Sequence, residues 1–175
     1  MPSPTNSARN KLSFMGLFLA LALILSYVES LFPFFFGVPG MKLGLANLAV
    51  VLALYIYGAK EAILLNMVRV LLAGFLFGNL YVILYSLAGA AVSFLGMIVL
   101  KKTNRFSIIG VSMAGGVSHN VGQILVAMFV IDTLGVLYYL PILLIAGIVT
   151  GGTIGFIAAI LTPHVKRMIG LEGKV

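Results

Sequence analysis

Polar residues inside apolar stretches are the clearest candidates for chemistry in this sequence. Arg69 stands in a long apolar run, with Asn66 one helical turn before it. A guanidinium stays protonated, so within an apolar segment it must find an anion, carbonyl oxygens or water. One interpretation is that Arg69 faces a ligand or a cavity. An ion pair with Glu29 or Glu61, or snorkelling to an interface, is the structural alternative.

A second polar group lies in the segment GGVSHNVGQ, residues 115–123. On a helix, His119, Asn120 and Gln123 fall within an arc of about 100°. One polar residue in a membrane helix commonly bonds a neighbouring helix, whereas several together favour a polar pocket. No second His or carboxylate stands three or four positions from His119, so we predict no metal site there.

The segment between Glu29 and Asn47 is apolar, aromatic and rich in Pro and Gly. Such a segment is typical of an interfacial loop or of a lid over a cavity. Lys42 follows the Pro39-Gly40 turn and could meet an anionic group; a lipid headgroup or Glu29 is its alternative partner. We predict that one ligand pocket contains Lys42, Asn47, Arg69, His119, Asn120 and Gln123.

The composition indicates that membrane helices must position these residues. The chain has 175 residues, 62% hydrophobic and 9% charged, against roughly a quarter charged in an average soluble domain. Apolar runs between charges fit crossings of about 17–25 residues, with a turn at 77–79 and Pro141 at a helix start. The sequence therefore predicts an all-α membrane protein with six spans, at residues 12–28, 43–58, 62–77, 80–100, 107–131 and 139–162.

The basic residues predict the orientation of these spans. With the N-terminus in the cytoplasm, nine of the eleven basic residues lie inside, Lys42 lies outside and Arg69 lies within a span. The positive-inside rule then places both termini in the cytoplasm. We predict cytoplasmic tails at residues 1–11 and 166–175 and a spanning domain at 12–165. Because the bases are spread over several loops and both ends, we expect no nucleic-acid partner.

Small residues at four-residue spacing form stripes on the first and last predicted spans. In lipid, such residues let helix backbones approach closely. They serve either packing within the bundle or the docking of another membrane subunit. As candidate partner-interface residues the stripes contain Gly16, Ala20, Ala22, Ser26, Gly147, Gly151 and Gly155.

Five sequence blocks carry a family resemblance: VPGMKLGLAN (38–47), GAKEA (58–62), RVLLAG (69–74), YSLAG (85–89) and GGVSHNVGQ (115–123). They resemble the bacterial Gx transporter family, also labelled heptaprenyl diphosphate synthase component I, over about residues 12–162. That family is related to the S components of energy-coupling factor (ECF) vitamin transporters. The resemblance implies a multi-pass protein of the bacterial cell membrane, built as a six-helix bundle. It would capture a ligand from outside and work with an ECF-type transmembrane subunit and ATPases.

Missing motifs limit the activities open to the chain. It has no nucleotide-binding loop, and its four acidic residues form no cluster of the kind that holds magnesium in prenyl synthases. We therefore predict a non-enzymatic substrate-binding subunit, without a cofactor, for a small anionic or amphipathic molecule. Two alternatives remain open. One is a subunit of a quinone- or flavin-linked electron-transfer system with a flavoprotein partner. The other is the scaffold of a prenyl or quinone biosynthetic complex.

Overall fold

The chain folds as a bundle of helices. The computed structural model describes residues 4–31 and 44–171. Within these residues no strand forms, which confirms the predicted all-α class. The helices are α1 (Pro4–Leu31), α2 (Asn47–Ile56), α3 (Ala59–Phe77), α4 (Leu80–Lys102), α5 (Ile108–Ile131), a short 3-10 helix (Leu134–Tyr139) and α6 (Leu140–Met168).

Two helix boundaries follow from local sequence signals, as predicted. α3 ends immediately before Gly78, and Asn79 caps α4 by accepting a hydrogen bond from the backbone N–H of Val82 at 3.0 Å. This satisfies one of the N–H groups that a helix start leaves without a partner. Pro141 stands in the first turn of α6, where its missing N–H removes no helical hydrogen bond.

Four helical segments are long and apolar enough to cross a membrane, and they correspond to the first, fourth, fifth and sixth predicted spans. They are Asn10–Leu31, Leu80–Lys102, Ile108–Ile131 and Leu134–Met168. α3 has 19 residues but carries Lys60, Glu61 and Arg69. α2 has only 10 residues, about 15 Å of helix against a hydrocarbon layer of about 30 Å.

α2 is shorter than the predicted span 43–58 because glycines with positive φ lie on both sides of it. Gly44 has φ +71° and Gly58 has φ +110°, conformations that glycine adopts without a Cβ clash. Every residue from Ala49 to Leu54 is buried, and α1, α3 and α6 all pack against α2. A helix that is apolar on all sides is suited to such an enclosed position.

α4, α5 and α6 form a closely packed group in which backbones meet directly. A Cβ on Gly116 would lie 2.3 Å from the carbonyl oxygen of Gly147, and a Cβ on Gly151 would lie 2.6 Å from that of Ser112. Gly155 also approaches the α5 backbone, at Ile109. The stripe Gly147, Gly151 and Gly155 therefore packs within the bundle, the first of its two predicted roles.

The stripes of α1 have different surroundings. Ala22 is buried and Ser26 is half-buried, whereas Gly16 and Ala20 are exposed on the outer face of the helix. No atom lies within 4 Å of a Cβ built on Gly16. Of the seven candidate partner-interface residues, Gly16 and Ala20 are the two that are exposed in the described bundle.

Basic residues from several helices meet at one end of the bundle. Lys11 forms an ion pair with Glu61, and the Lys101 Nζ donates a hydrogen bond to the carbonyl oxygen of Leu54. Lys166 lies close enough to Lys101 for the two charges to act on each other. These contacts define the basic end, where α1 and α3 begin and α2, α4 and α6 end. α1, α3 and α5 end at the opposite end.

Candidate functional site

The structure distributes the predicted ligand residues over three neighbouring cavities rather than bringing them into one. Asn47 and His119 line the first cavity, Arg69 the second and Gln123 the third. Asn120 lies between two helices, and Lys42 falls outside the described residues.

The central cavity lies between α2, α3, α4, α5 and α6, and its wall contains both apolar and polar side chains. Its volume is about 40 Å³, which is space for no more than about three water molecules. Several polar side chains in its wall already have protein partners: the Ser93 Oγ donates to the carbonyl oxygen of Gly115, and the Thr150 Oγ1 donates to that of Ala146. The polar side chains that line it are Asn47, Asn66, Ser93, Ser112, His119 and Thr150.

His119 reaches the central cavity from α5 and packs against α4. A Cβ on Gly89 would lie 2.7 Å from Cε1 of the imidazole, so the ring occupies space that any other residue at position 89 would fill. Gly89 ends the YSLAG block. Gly89 therefore has a steric role, because its missing side chain leaves room for the His119 ring.

Arg69 joins α3 to α2 through hydrogen bonds. Its Nε donates to Oδ1 of Asn66 at 3.2 Å, and its Nη2 donates to the same oxygen and to Oδ1 of Asn47 at 3.4 Å. Glu29 lies close enough to act on the guanidinium charge and accepts a hydrogen bond from the backbone N–H of Gly44. Glu29 is therefore the acidic residue near Arg69.

Glu61, the other candidate acid for Arg69, has a different partner. It lies before the predicted third span and accepts a hydrogen bond from the Lys11 Nζ. That bond holds the pKa of the Glu61 carboxyl below its ordinary value. The Glu61 carboxylate therefore pairs with Lys11 at the basic end of the bundle and not with Arg69.

Arg69 and Glu29 face a second cavity, the Arg69 cavity, of about 70 Å³. It lies between the ends of α1 and α3 and the start of α4, where Val82 and Ser86 form part of its wall. The hydroxyl of Ser26 is buried there and, within the described part of the chain, has no hydrogen-bond partner. The cavity thus joins a positive charge, a negative charge and an unpaired hydroxyl.

The third cavity, the apolar cavity, lies between α4, α5, the 3-10 helix and the start of α6. Its volume is about 320 Å³, within the range of roughly 300–1,000 Å³ that small-molecule sites occupy. Val82 and Ser86 belong to its wall as well, so it adjoins the Arg69 cavity. The lining residues are Val82, Tyr85, Ser86, Gln123, Ile124, Ala127, Ile131, Val136, Tyr139 and Leu143.

Asn120 and Gln123 lie on the same helix but have different surroundings. The Nδ2 of Asn120 donates to the carbonyl oxygen of Leu143 at 2.6 Å and so links α5 to α6. Gln123 lines the apolar cavity. Although the two residues share an arc of α5, Asn120 contacts α6 and Gln123 lies beside a cavity.

Some cavity residues were not among the predicted ligand residues. Tyr85, Ser86 and Tyr139 line the apolar cavity, and Asn66 holds Arg69. The spacing of Val82, Tyr85 and Ser86 places all three on one face of α4, a signal that the sequence contains. Tyr139 had no comparable signal, because it belongs to the 3-10 helix before α6.

Known metal sites need several converging ligands. Among the described residues, no three His, Cys, Asp or Glu side chains come together in that way.

The chain matches a known protein family over most of its length. The family described as heptaprenyl diphosphate synthase component I matches residues 18–161, a range that includes all three cavities. Neither the curated proteins nor the solved structures contain a match.

Proposed function

The chain belongs to the heptaprenyl diphosphate synthase component I family, also called the Gx transporter family, and we propose from this premise that it is a substrate-binding subunit of a membrane transporter. It captures a small anionic or amphipathic molecule from the outer side of a bacterial cell membrane. Its partners are an ECF-type transmembrane subunit and ATPases. Catalysis is not part of the proposal.

The observation that carries the proposal is Arg69 at the wall of a cavity. A charged side chain within a membrane bundle is costly to keep and commonly marks a ligand or ion pathway. Two asparagine side chains hold the guanidinium in place, which fixes its direction before a ligand arrives. Such preorganisation lowers the entropy that binding must overcome.

The proposed orientation places the basic end in the cytoplasm. The excess of Lys and Arg at that end matches the positive-inside pattern. The Arg69 cavity and the apolar cavity then lie towards the outer side, because both are formed where α3 and α5 end and α4 begins. Ligand entry from outside follows from this placement.

Native mass spectrometry of the protein released from its own membranes tests the proposal. We expect a retained small molecule on the wild type, together with partner subunits under the gentlest conditions. Arg69→Gln removes the charge and should lose the molecule, whereas Lys60→Gln, which removes an exposed base at the basic end, should keep it. A folded wild type without any bound molecule, or equal occupancy in Arg69→Gln, would contradict the proposed function.

A further inference from the structure

We infer that the ligand is an amphiphile with one negative charge, whose head lies beside Arg69 and whose short apolar chain occupies the apolar cavity. This inference rests on the proposed function, because it names the class of molecule that the subunit binds. It depends on the two cavities acting as two parts of one site.

The first step is the continuity of the two cavities. Val82 and Ser86, one turn apart on α4, belong to the walls of both. The two cavities therefore adjoin each other along this face of α4. The inference places one ligand across Val82 and Ser86, with its head in one cavity and its chain in the other.

The second step is the chemistry of the apolar cavity. Its wall is mostly aliphatic and aromatic, and its volume of about 320 Å³ is larger than that of the Arg69 cavity, about 70 Å³. An apolar chain that enters from water gains free energy with each buried methylene. A chain that enters from lipid gains little, since it leaves an equally apolar solvent. An affinity that increases with the length of the ligand chain would therefore indicate that the ligand enters the cavity from water.

The third step is the charge of the head. Arg69 attracts an anion, but the carboxylate of Glu29 faces the same cavity. Because Glu29 offsets the charge of Arg69, a single negative charge gains only by lying nearer the guanidinium than the Glu29 carboxylate, and each further negative charge adds repulsion from Glu29. A singly charged head, such as a carboxylate, suits this pair, and the unpaired hydroxyl of Ser26 supplies a further hydrogen bond.

The experiment measures binding of straight-chain carboxylates, from acetate to octanoate, to the full chain in lipid nanodiscs by calorimetry. We expect the dissociation constant to fall about three- to four-fold for each added methylene, until the cavity is filled. Hexylamine, which has the opposite charge, should bind at least ten-fold more weakly than hexanoate. Arg69→Gln should remove that preference.

Two variants fill the apolar cavity and one matched control does not. Ala127→Phe extends from α5 into the cavity and should make affinity independent of chain length. Ile131→Trp fills it from a more exposed position, 58% accessible, and serves if the first variant does not fold. Val130→Phe changes an exposed residue of the same helix outside the cavity wall and should keep the wild-type series.

The outcomes separate this inference from the proposed function. Suppose that carboxylate binding depends on Arg69 but that affinity still rises with chain length in the cavity-filling variants. This result would contradict the inference of an amphiphilic ligand, but it would be compatible with the proposed substrate-binding function. Absence of carboxylate binding to the folded wild type, or equal binding of hexylamine, also overturns the amphiphile. The retained molecule seen by native mass spectrometry decides the proposed function independently.

Discussion

Helices α4 to α6 and helices α1 to α3 are held together by different chemistry. In the first group, backbones meet through glycines, as at Gly116 and Gly147. In the second, buried apolar side chains of α2 pack against α1 and α3, and the polar network of Arg69, Asn66 and Asn47 joins α2 to α3. Close backbone packing is therefore concentrated in α4 to α6, and the buried charge lies in α1 to α3.

The two kinds of contact respond differently to change. Close packing of helices depends on short-range van der Waals attraction. When an added side chain separates two backbones, this attraction is lost and no other interaction replaces it. A buried charge is stabilised by its hydrogen-bond and ionic partners. Loss of a partner therefore destabilises the fold less when the charge has been removed as well. Variants in each half of the molecule measure the two responses separately.

The largest effect is expected for Gly147→Val in the packed half. Its Cβ would lie 2.9 Å from backbone atoms of Gly116, so α5 and α6 must move apart, at a cost of about 3 kcal/mol or more. The free energy of unfolding in detergent measures this. Gly152→Ala is the control, because its Cβ would meet only the Met113 side chain at 3.5 Å. Equal stability of the two variants would show that α5–α6 packing tolerates separation.

The next effect is expected for Asn66→Leu in the polar half. The variant removes the acceptor of two guanidinium hydrogen bonds and should cost about 2–3 kcal/mol of unfolding free energy. Adding Arg69→Met should restore part of the loss, because no charge then needs a partner. A double variant less stable than the single one would contradict the role of the charge.

Asn120→Ala is expected to cost about 1 kcal/mol, the scale of a hydrogen bond between membrane helices. The variant loses its bond to the carbonyl oxygen of Leu143 and should bind the retained molecule as the wild type does. Unfolding and native mass spectrometry are measured together. Lost binding at unchanged stability would instead support the sequence-based prediction that Asn120 contacts the ligand.

The smallest effect belongs to the Lys11–Glu61 ion pair at the basic end. Lys11 lowers the Glu61 pKa, and Lys60 adds to this. The pair therefore stabilises the fold above the ordinary carboxyl pKa, and the contribution is lost as the pH falls through the lowered value. Because both side chains are partly exposed, we expect about 0.5 kcal/mol or less. Wild type and Glu61→Gln should differ at neutral pH and converge in acid; a difference that grows with acidity would contradict this.

Local signals were enough for several features of the fold. Asn79 and Pro141 mark helix starts because capping and proline chemistry act within one turn. The Asn66–Arg69 contact follows from a spacing of three residues on one helix. Helix class itself follows from apolar runs of spanning length.

Other features depend on neighbours that are distant in sequence. The length of α2 is set by Gly58 and by burial among three other helices, although its apolar run continues through Tyr57. From the sequence, Gly147 and Gly151 could pack within the bundle or contact another membrane subunit. The position of α5 against both glycines shows that they pack within the bundle. Glu29 and Glu61 were equal candidates for Arg69 until the packing of α1 brought Lys11 to Glu61.

Composition and residue spacing were enough to predict an apolar helical protein with few charges and to identify Arg69 as the charge in greatest need of a partner. Composition and spacing determine helix formation and the need to bury apolar residues through local hydrogen bonds and solvation, and both can be assessed from the sequence. The tertiary structure decided that Asn120 joins helices, that Gln123 and Arg69 face adjoining cavities, and that Val82 and Ser86 lie between them. Those outcomes depend on which helix covers which face, and that is settled by packing between distant segments.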